Sequence, residues 1–168
     1  MKRLLVPAAV LAALSLPLRG IPIGGYVRGI VGDLSVTSLL LLATAIVALA
    51  SGPKLHDRGE LRALAAFVLA GALFLYPMGL GLTSFDPYAL GYSPHVRGFL
   101  AALAPVALFA WIRGRLLLLL ALVLALAAFR FEVLESSNLW DYLLDPWLAA
   151  GMLGWAGFTI FARFSKSR

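Results

Sequence analysis

The 168 residues include no cysteine, two histidines and only 13% charged residues. Without cysteine there is no disulfide, no thiolate metal ligand and no cysteine nucleophile, and the redox compartment leaves no trace in the chain. His56 and His95 are too few for a multi-histidine centre, so no metal site is assigned, although an oxygen-rich cation site built from acids stays open. No G-x-S-x-G elbow and no phosphate-binding glycine loop is present. Ser84, Asp86, Ser93 and His95 share one short loop but lack the spacing of a nucleophile motif. Gly24–Gly25 and Gly29 with Gly32 read as flexible connector, and Gly79 with Gly81 as a loosened helix end after Tyr76–Pro77. No cofactor is expected.

What the chain has in excess is apolar surface: 62% of its residues are hydrophobic and its mean hydropathy is +0.95. So few polar groups cannot cover a soluble core of that size, whereas a bilayer tolerates an apolar exterior and demands a backbone satisfied within each segment. The expected fold is therefore all-α, a single polytopic bundle of about six transmembrane helices. The net charge of +6 raises nucleic acid as a partner. The basic residues recur at the ends of apolar runs rather than in an aromatic-interleaved patch, which argues for membrane topology instead.

The first run, residues 4–18, follows a basic start like a signal peptide, but Leu16, Pro17, Leu18 and Arg19 offer no small-x-small cleavage site, so it is read as an uncleaved span. Further spans are expected at residues 34–50, 61–82, 97–112, 116–131 and 146–162. A span of 17 residues rises roughly 25 Å against a hydrocarbon core of about 30 Å, so its ends must extend into polar flanks. One set of loops and termini holds Lys2, Arg3, Lys54, Arg58, Arg62, Arg113, Arg115, Arg163, Lys166 and Arg168, and the other holds Arg19, Arg28, Arg97 and Arg130. The positive-inside rule then places both termini in the cytoplasm, with the inner membrane of a bacterium as the expected location. The acids segregate the other way, with Asp33, Asp86, Glu132, Glu135, Asp141 and Asp145 outside. The outer loops also carry Tyr26, Phe85, Tyr88, Tyr92, Trp140, Tyr142 and Trp147, rings suited to headgroup depth.

The polar stretch Arg130–Trp147 is the chain's most distinctive segment. Asn138 with Asp141 three residues on has the spacing of a capping box, which opens a short interfacial helix over residues 138–144. Asp141 and Asp145 then share a face, and two like charges so placed call for a cation, an arginine or another subunit nearby. Several acids have simpler roles: Asp145 before Pro146 fits a helix N-cap, Asp86 before Pro87 caps a turn, and Asp33 caps the second span. Arg130, flanked by Phe129 and Phe131 at the end of a span, must pair with an acid from another helix such as Asp33 or Asp86, snorkel to the interface, or receive a phosphate or carboxylate. No span has an ionisable residue near its middle, which weakens a coupled transporter. Thr37, Ser38 and Thr44, and the Ala150–Gly154 pair, read as helix-packing faces.

The stretch Arg28-Gly-Ile-Val-Gly-Asp33-Leu34-Ser35 resembles the Arg-x-Asp-Leu-Ser start of a span in lipoteichoic-acid-synthase-like phosphoglycerol and phosphoethanolamine transferases. The likeness covers about one span, the Arg-to-Asp spacing is longer here, and that family's extracytoplasmic catalytic domain has no counterpart in these residues. No catalytic residue is carried over. The resemblance implies a membrane module that serves an envelope enzyme, with Asp33 near a lipid headgroup.

The leading functional expectation is a non-catalytic accessory subunit. Its acidic, aromatic outer face, built from Arg130, Asp33, Asp86, Glu132, Glu135, Trp140, Asp141 and Asp145, meets an envelope protein or a lipid headgroup. A membrane enzyme acting on lipid or polyprenyl headgroups and a small transporter are the alternatives. The expected partners are membrane lipids and a membrane or extracytoplasmic protein, with no nucleic acid. In a protein-docking reading, Trp140 and Leu143 are the exposed contacts.

Overall fold

The computed structural model describes residues 2–51, 56–82 and 84–165. Among these the fold is all-α, 76% helical with eight α-helices. In chain order they are α1 (Lys2–Ser15), α2 (Ile23–Val31), α3 (Val36–Ser51), α4 (Arg58–Gly79), α5 (Val96–Ile112), α6 (Leu116–Arg130), α7 (Leu139–Leu143) and α8 (Pro146–Ser165). A two-residue antiparallel ribbon, β1 (Pro17–Leu18) with β2 (Ile21–Pro22), links α1 to α2, and a 3₁₀ turn spans Tyr88–Gly91.

The helix ends follow local chemistry. Asp57 caps α4, accepting from the Glu60 N–H at 2.6 Å. The Glu60 carboxylate in turn accepts from the Leu116 N–H at 3.1 Å, tying the start of α4 to the start of α6. Ser35 caps α3 by accepting from the Ser38 N–H at 3.2 Å, the role expected of Asp33. At its far end α6 stops at Glu132, whose left-handed φ of 53° lets the Val133 N–H reach back to the Ala128 carbonyl at 3.0 Å.

The central element is α6, packed against α3, α4, α5 and α7. Its buried Leu117, Leu118, Ala121, Leu122 and Ala125 recur at helical spacing, so one stripe faces its neighbours. On α4 the stripe Leu64, Ala65, Val68, Ala72 and Leu75 does the same. The outward faces are apolar too: Leu73, Trp111, Phe158 and Phe161 are each more than 70% exposed. By length and composition, α4 is the one helix among the described residues long and apolar enough to cross a membrane; residues 36–50, 96–112, 116–130 and 146–162 form shorter apolar helices.

One sequence expectation is overturned by the fold. The glycine-rich stretch read as connector is helical: α2 packs on α1, and Gly24 comes close enough to the Leu14 carbonyl that a Cβ would sit 3.2 Å from it. Its glycines therefore permit close approach rather than a flexible linker. The helix end read at Gly79 and Gly81 is present: α4 runs through Pro77 and stops at Gly79, and Gly81 follows with a left-handed φ of 81°. The expected fifth and sixth runs match α6 and α8 at their starts, and the short helix expected at 138–144 is α7.

Candidate functional site

Between the end of α4, the 3₁₀ turn, the loop before α7 and the start of α8 lies a cleft of about 930 Å³. Four of the singled-out acids, Asp33, Asp86, Asp141 and Asp145, line it, together with Tyr76, Tyr88 and Ser136. Leucine and methionine side chains, among them Leu75, Met78, Leu80 and Leu144, form its apolar wall.

Asp145 is buried, 6% exposed, and forms the firmest part of this wall. One carboxylate oxygen caps α8 through the Leu148 N–H at 2.9 Å. The other accepts from the Ser35 N–H at 2.9 Å and the Ser38 hydroxyl at 2.5 Å, so a single side chain joins the starts of α3 and α8. Burial pushes this carboxyl up, but the donors from Ser38, Leu148 and Ser35 outweigh it and hold it below the ordinary aspartate range. The N-cap expected before Pro146 is present, with a second task that local sequence does not reveal.

Asp141 does not complete a capping box. Asn138 caps α7 by accepting from the Trp140 N–H at 2.9 Å, but its own N–H donates to the Ser136 hydroxyl oxygen at 3.0 Å. The Asp141 carboxylate points the other way, where Oδ2 accepts from the Tyr88 hydroxyl at 2.7 Å and the Ser136 hydroxyl at 2.5 Å. Both bonds fall on Oδ2, which leaves Oδ1 without a protein donor among the described residues. Burial and the neighbouring carboxylate keep the Tyr88 phenol well above its usual range, so it stays a donor. Asp86 accepts from the Tyr88 N–H at 2.9 Å, fixing the turn that carries this tyrosine. The Asn138 amide donates to the Tyr88 carbonyl at 2.9 Å, and Gly91 makes that approach possible: a Cβ there would lie 1.8 Å from the Asn138 Oδ1.

At the rim, Arg28 in the last turn of α2 pairs with Asp33 and donates to Glu135 at 2.9 Å. The guanidinium holds the Asp33 carboxyl below its ordinary value. This is the pairing expected of Arg130. Arg130 itself is exposed at the end of α6 and makes no ion pair among the described residues, because Arg28 is the arginine that reaches Asp33. Its charge complements the partial negative charge of that helix end. Glu132 is exposed in the turn that ends α6 and lies outside the cleft.

Trp140 is the largest departure from expectation. It is 5% exposed, its ring packs against Phe99 with centroids 4.2 Å apart, and its indole N–H donates to the Pro87 carbonyl at 2.9 Å. Leu143 is fully buried. Neither offers a surface to a partner. The Tyr142 hydroxyl, also read as interfacial, lies 3.0 Å from the Leu134 carbonyl and 2.9 Å from that of Ser136, and stitches the loop before α7. Trp147 fits the interfacial reading better: its ring is half-exposed, and its N–H donates to the Val31 carbonyl at 3.0 Å.

Tyr76, Tyr88 and Ser136 in the cleft and Arg28 at its rim were not among the expected site residues, although Tyr88 was read as an interfacial ring and Arg28 as part of the stretch before Asp33. The one local signal was Ser136 two residues before Asn138, a spacing at which a hydroxyl can accept the cap residue's N–H. Among the described residues no three acidic or histidine side chains converge closely enough to hold a metal ion. No protein-family model, no curated protein and no solved structure matches this chain.

Proposed function

We propose that this chain is a six-span protein of a bacterial inner membrane, both termini cytoplasmic, that acts as a non-catalytic accessory subunit by holding a lipid headgroup in its outer cleft. The spans are α1, α3, α4, α5, α6 and α8, with α2 and α7 lying at the outer interface. The apolar outward faces of α4, α5 and α8 favour a lipid surround. The preponderance of Lys and Arg at the ends of α4 and α5 opposite the cleft favours this orientation.

The observation that carries the headgroup reading is the cleft itself. It gathers Asp33, Asp86, Asp141 and Asp145 beside an apolar wall, while Trp140 and Leu143, the residues a docking face would have offered, are buried. Polar groups beside an aliphatic wall suit a molecule with a polar head and a hydrocarbon tail.

Purification from the native membrane in a gentle detergent, with mass spectrometry of what stays bound, tests this. Gly79 lines the cleft and a Cβ there meets nothing within 4 Å, so Gly79→Trp adds bulk without disturbing the core. The expected result is a stoichiometric lipid that Gly79→Trp removes. A stoichiometric protein partner, or no lipid sensitive to that change, contradicts the reading.

A further inference from the structure

The outer cleft has an unbalanced set of hydrogen-bonding groups. Among the described residues four aspartates line it, and no lysine, arginine or histidine does. Arg28 at the rim balances Asp33. Asp86, Asp141 and Asp145 have only neutral donors, from backbone N–H groups and from hydroxyls of serine and tyrosine. Those donors are already engaged: Tyr88 and Ser136 give their protons to Asp141, and Ser38 gives its proton to Asp145. Apart from the Tyr76 hydroxyl, what remains to meet an incoming molecule is acceptor capacity and negative charge, including the Oδ1 of Asp141.

One group in the cleft is unexplained by the fold. The Tyr76 hydroxyl, on the cleft wall, is buried and has no hydrogen-bond partner among the described residues. Leaving a buried hydroxyl unpaired costs about 1–3 kcal/mol, a cost that a polar group bound in the cleft would relieve.

We infer that the cleft takes an organic ammonium: a primary amine whose N–H groups bond Asp141 Oδ1 and the Tyr76 oxygen while an attached hydrocarbon lies along Leu75, Met78 and Leu80. An alkylammonium brings three donors and one positive charge, which the acceptor-rich lining lacks. A bare metal ion is a poorer match, because the acids line the cleft without converging on one point. A phosphate or carboxylate head would meet three carboxylates that no cation balances, with the Tyr76 hydroxyl as its one free donor among the described residues. This deepens the headgroup reading and rests on it.

The test uses the intact protein in maltoside micelles, with dodecylamine, dodecanol and dodecanoate added separately and retention read by native mass spectrometry. The three probes share a chain and differ in the head. Dodecylamine is expected to be retained at least about tenfold better than the other two. Gly79→Trp should abolish its retention, and Tyr76→Phe and Asp141→Asn should weaken it by a similar factor. Tyr76→Phe removes a hydroxyl with no partner among the described residues, so its melting temperature should equal or exceed the wild-type value and a binding loss reports the ligand contact. Butylamine, which keeps the ammonium and shortens the chain, separates the sources: effective competition assigns a soluble amine, and its failure assigns a membrane amphiphile, both with the ammonium retained. Equal retention of dodecanol or dodecanoate in a Gly79→Trp-sensitive manner overturns the ammonium while leaving the headgroup reading standing. No Gly79→Trp-sensitive retention of any probe overturns both, and wild-type dodecylamine retention in both Tyr76→Phe and Asp141→Asn overturns the proposed contacts.

Discussion

Trp140→Ala is expected to cost about 4 kcal/mol and to leave little folded protein at moderate temperature, as measured by thermal unfolding in detergent. The indole is almost wholly buried, faces Phe99 and Phe74, and donates to the Pro87 carbonyl. Truncation removes the ring, leaves a cavity beside Gly71 and Leu144, and takes away one of the two donors to the Pro87 carbonyl, which the Leu90 N–H of the 3₁₀ turn also reaches at 3.2 Å. Trp140→Phe keeps most of the apolar contact and loses the hydrogen bond, so about 1–2 kcal/mol is expected. A Trp140→Ala protein that melts like wild type but loses a bound partner would return this residue to the docking role its sequence context suggested.

Asp145→Ala is expected to destabilise by about 3 kcal/mol, because it leaves three donors unmet at once: the Ser35 N–H, the Ser38 hydroxyl and the Leu148 N–H. Two helices lose their joint. Asp145→Asn keeps one acceptor oxygen but turns an NH₂ toward a donor, so about 2 kcal/mol is expected, with Ser38→Ala smaller still. The folded carboxyl sits below its ordinary range, so its contribution is fully present above the unfolded aspartate value of about 3.9 and is lost as pH falls through the lower folded value. The wild-type melting temperature should therefore fall in strong acid, and the gap between wild type and Asp145→Asn should narrow there. A gap that widens on acidification contradicts the assignment.

The sequence was most legible where one local rule decides the outcome. The starts of α6 and α8, the cap at Asn138 and the cap at Asp145 follow from apolar runs and from residue types adjacent to them. Long-range partners were not legible. Arg28 meets Glu135 across 107 residues, and nothing near Arg130 in sequence shows that Arg28 would reach Asp33 first. Trp140 was ambiguous in principle, since an amphipathic indole suits a headgroup belt as well as a core that offers a carbonyl. The α2 helix was hidden because glycine disfavours helices on average, whereas here it lets α2 lie close against α1. The cleft could not be read locally, because its acids come from three separate segments and only packing brings them to one wall.

The central claim is that the cleft lies on the outer side of a membrane that the helices cross, and the cysteine-free chain makes that directly measurable. Single cysteines at Ser137, exposed beside α7, and at Arg113, exposed in the turn between α5 and α6, would be treated in intact spheroplasts with a membrane-impermeant thiol reagent. The account requires Ser137→Cys to label at once and Arg113→Cys to label only after permeabilisation. Labelling of Arg113→Cys alone in intact spheroplasts, or of both sites equally, would contradict it.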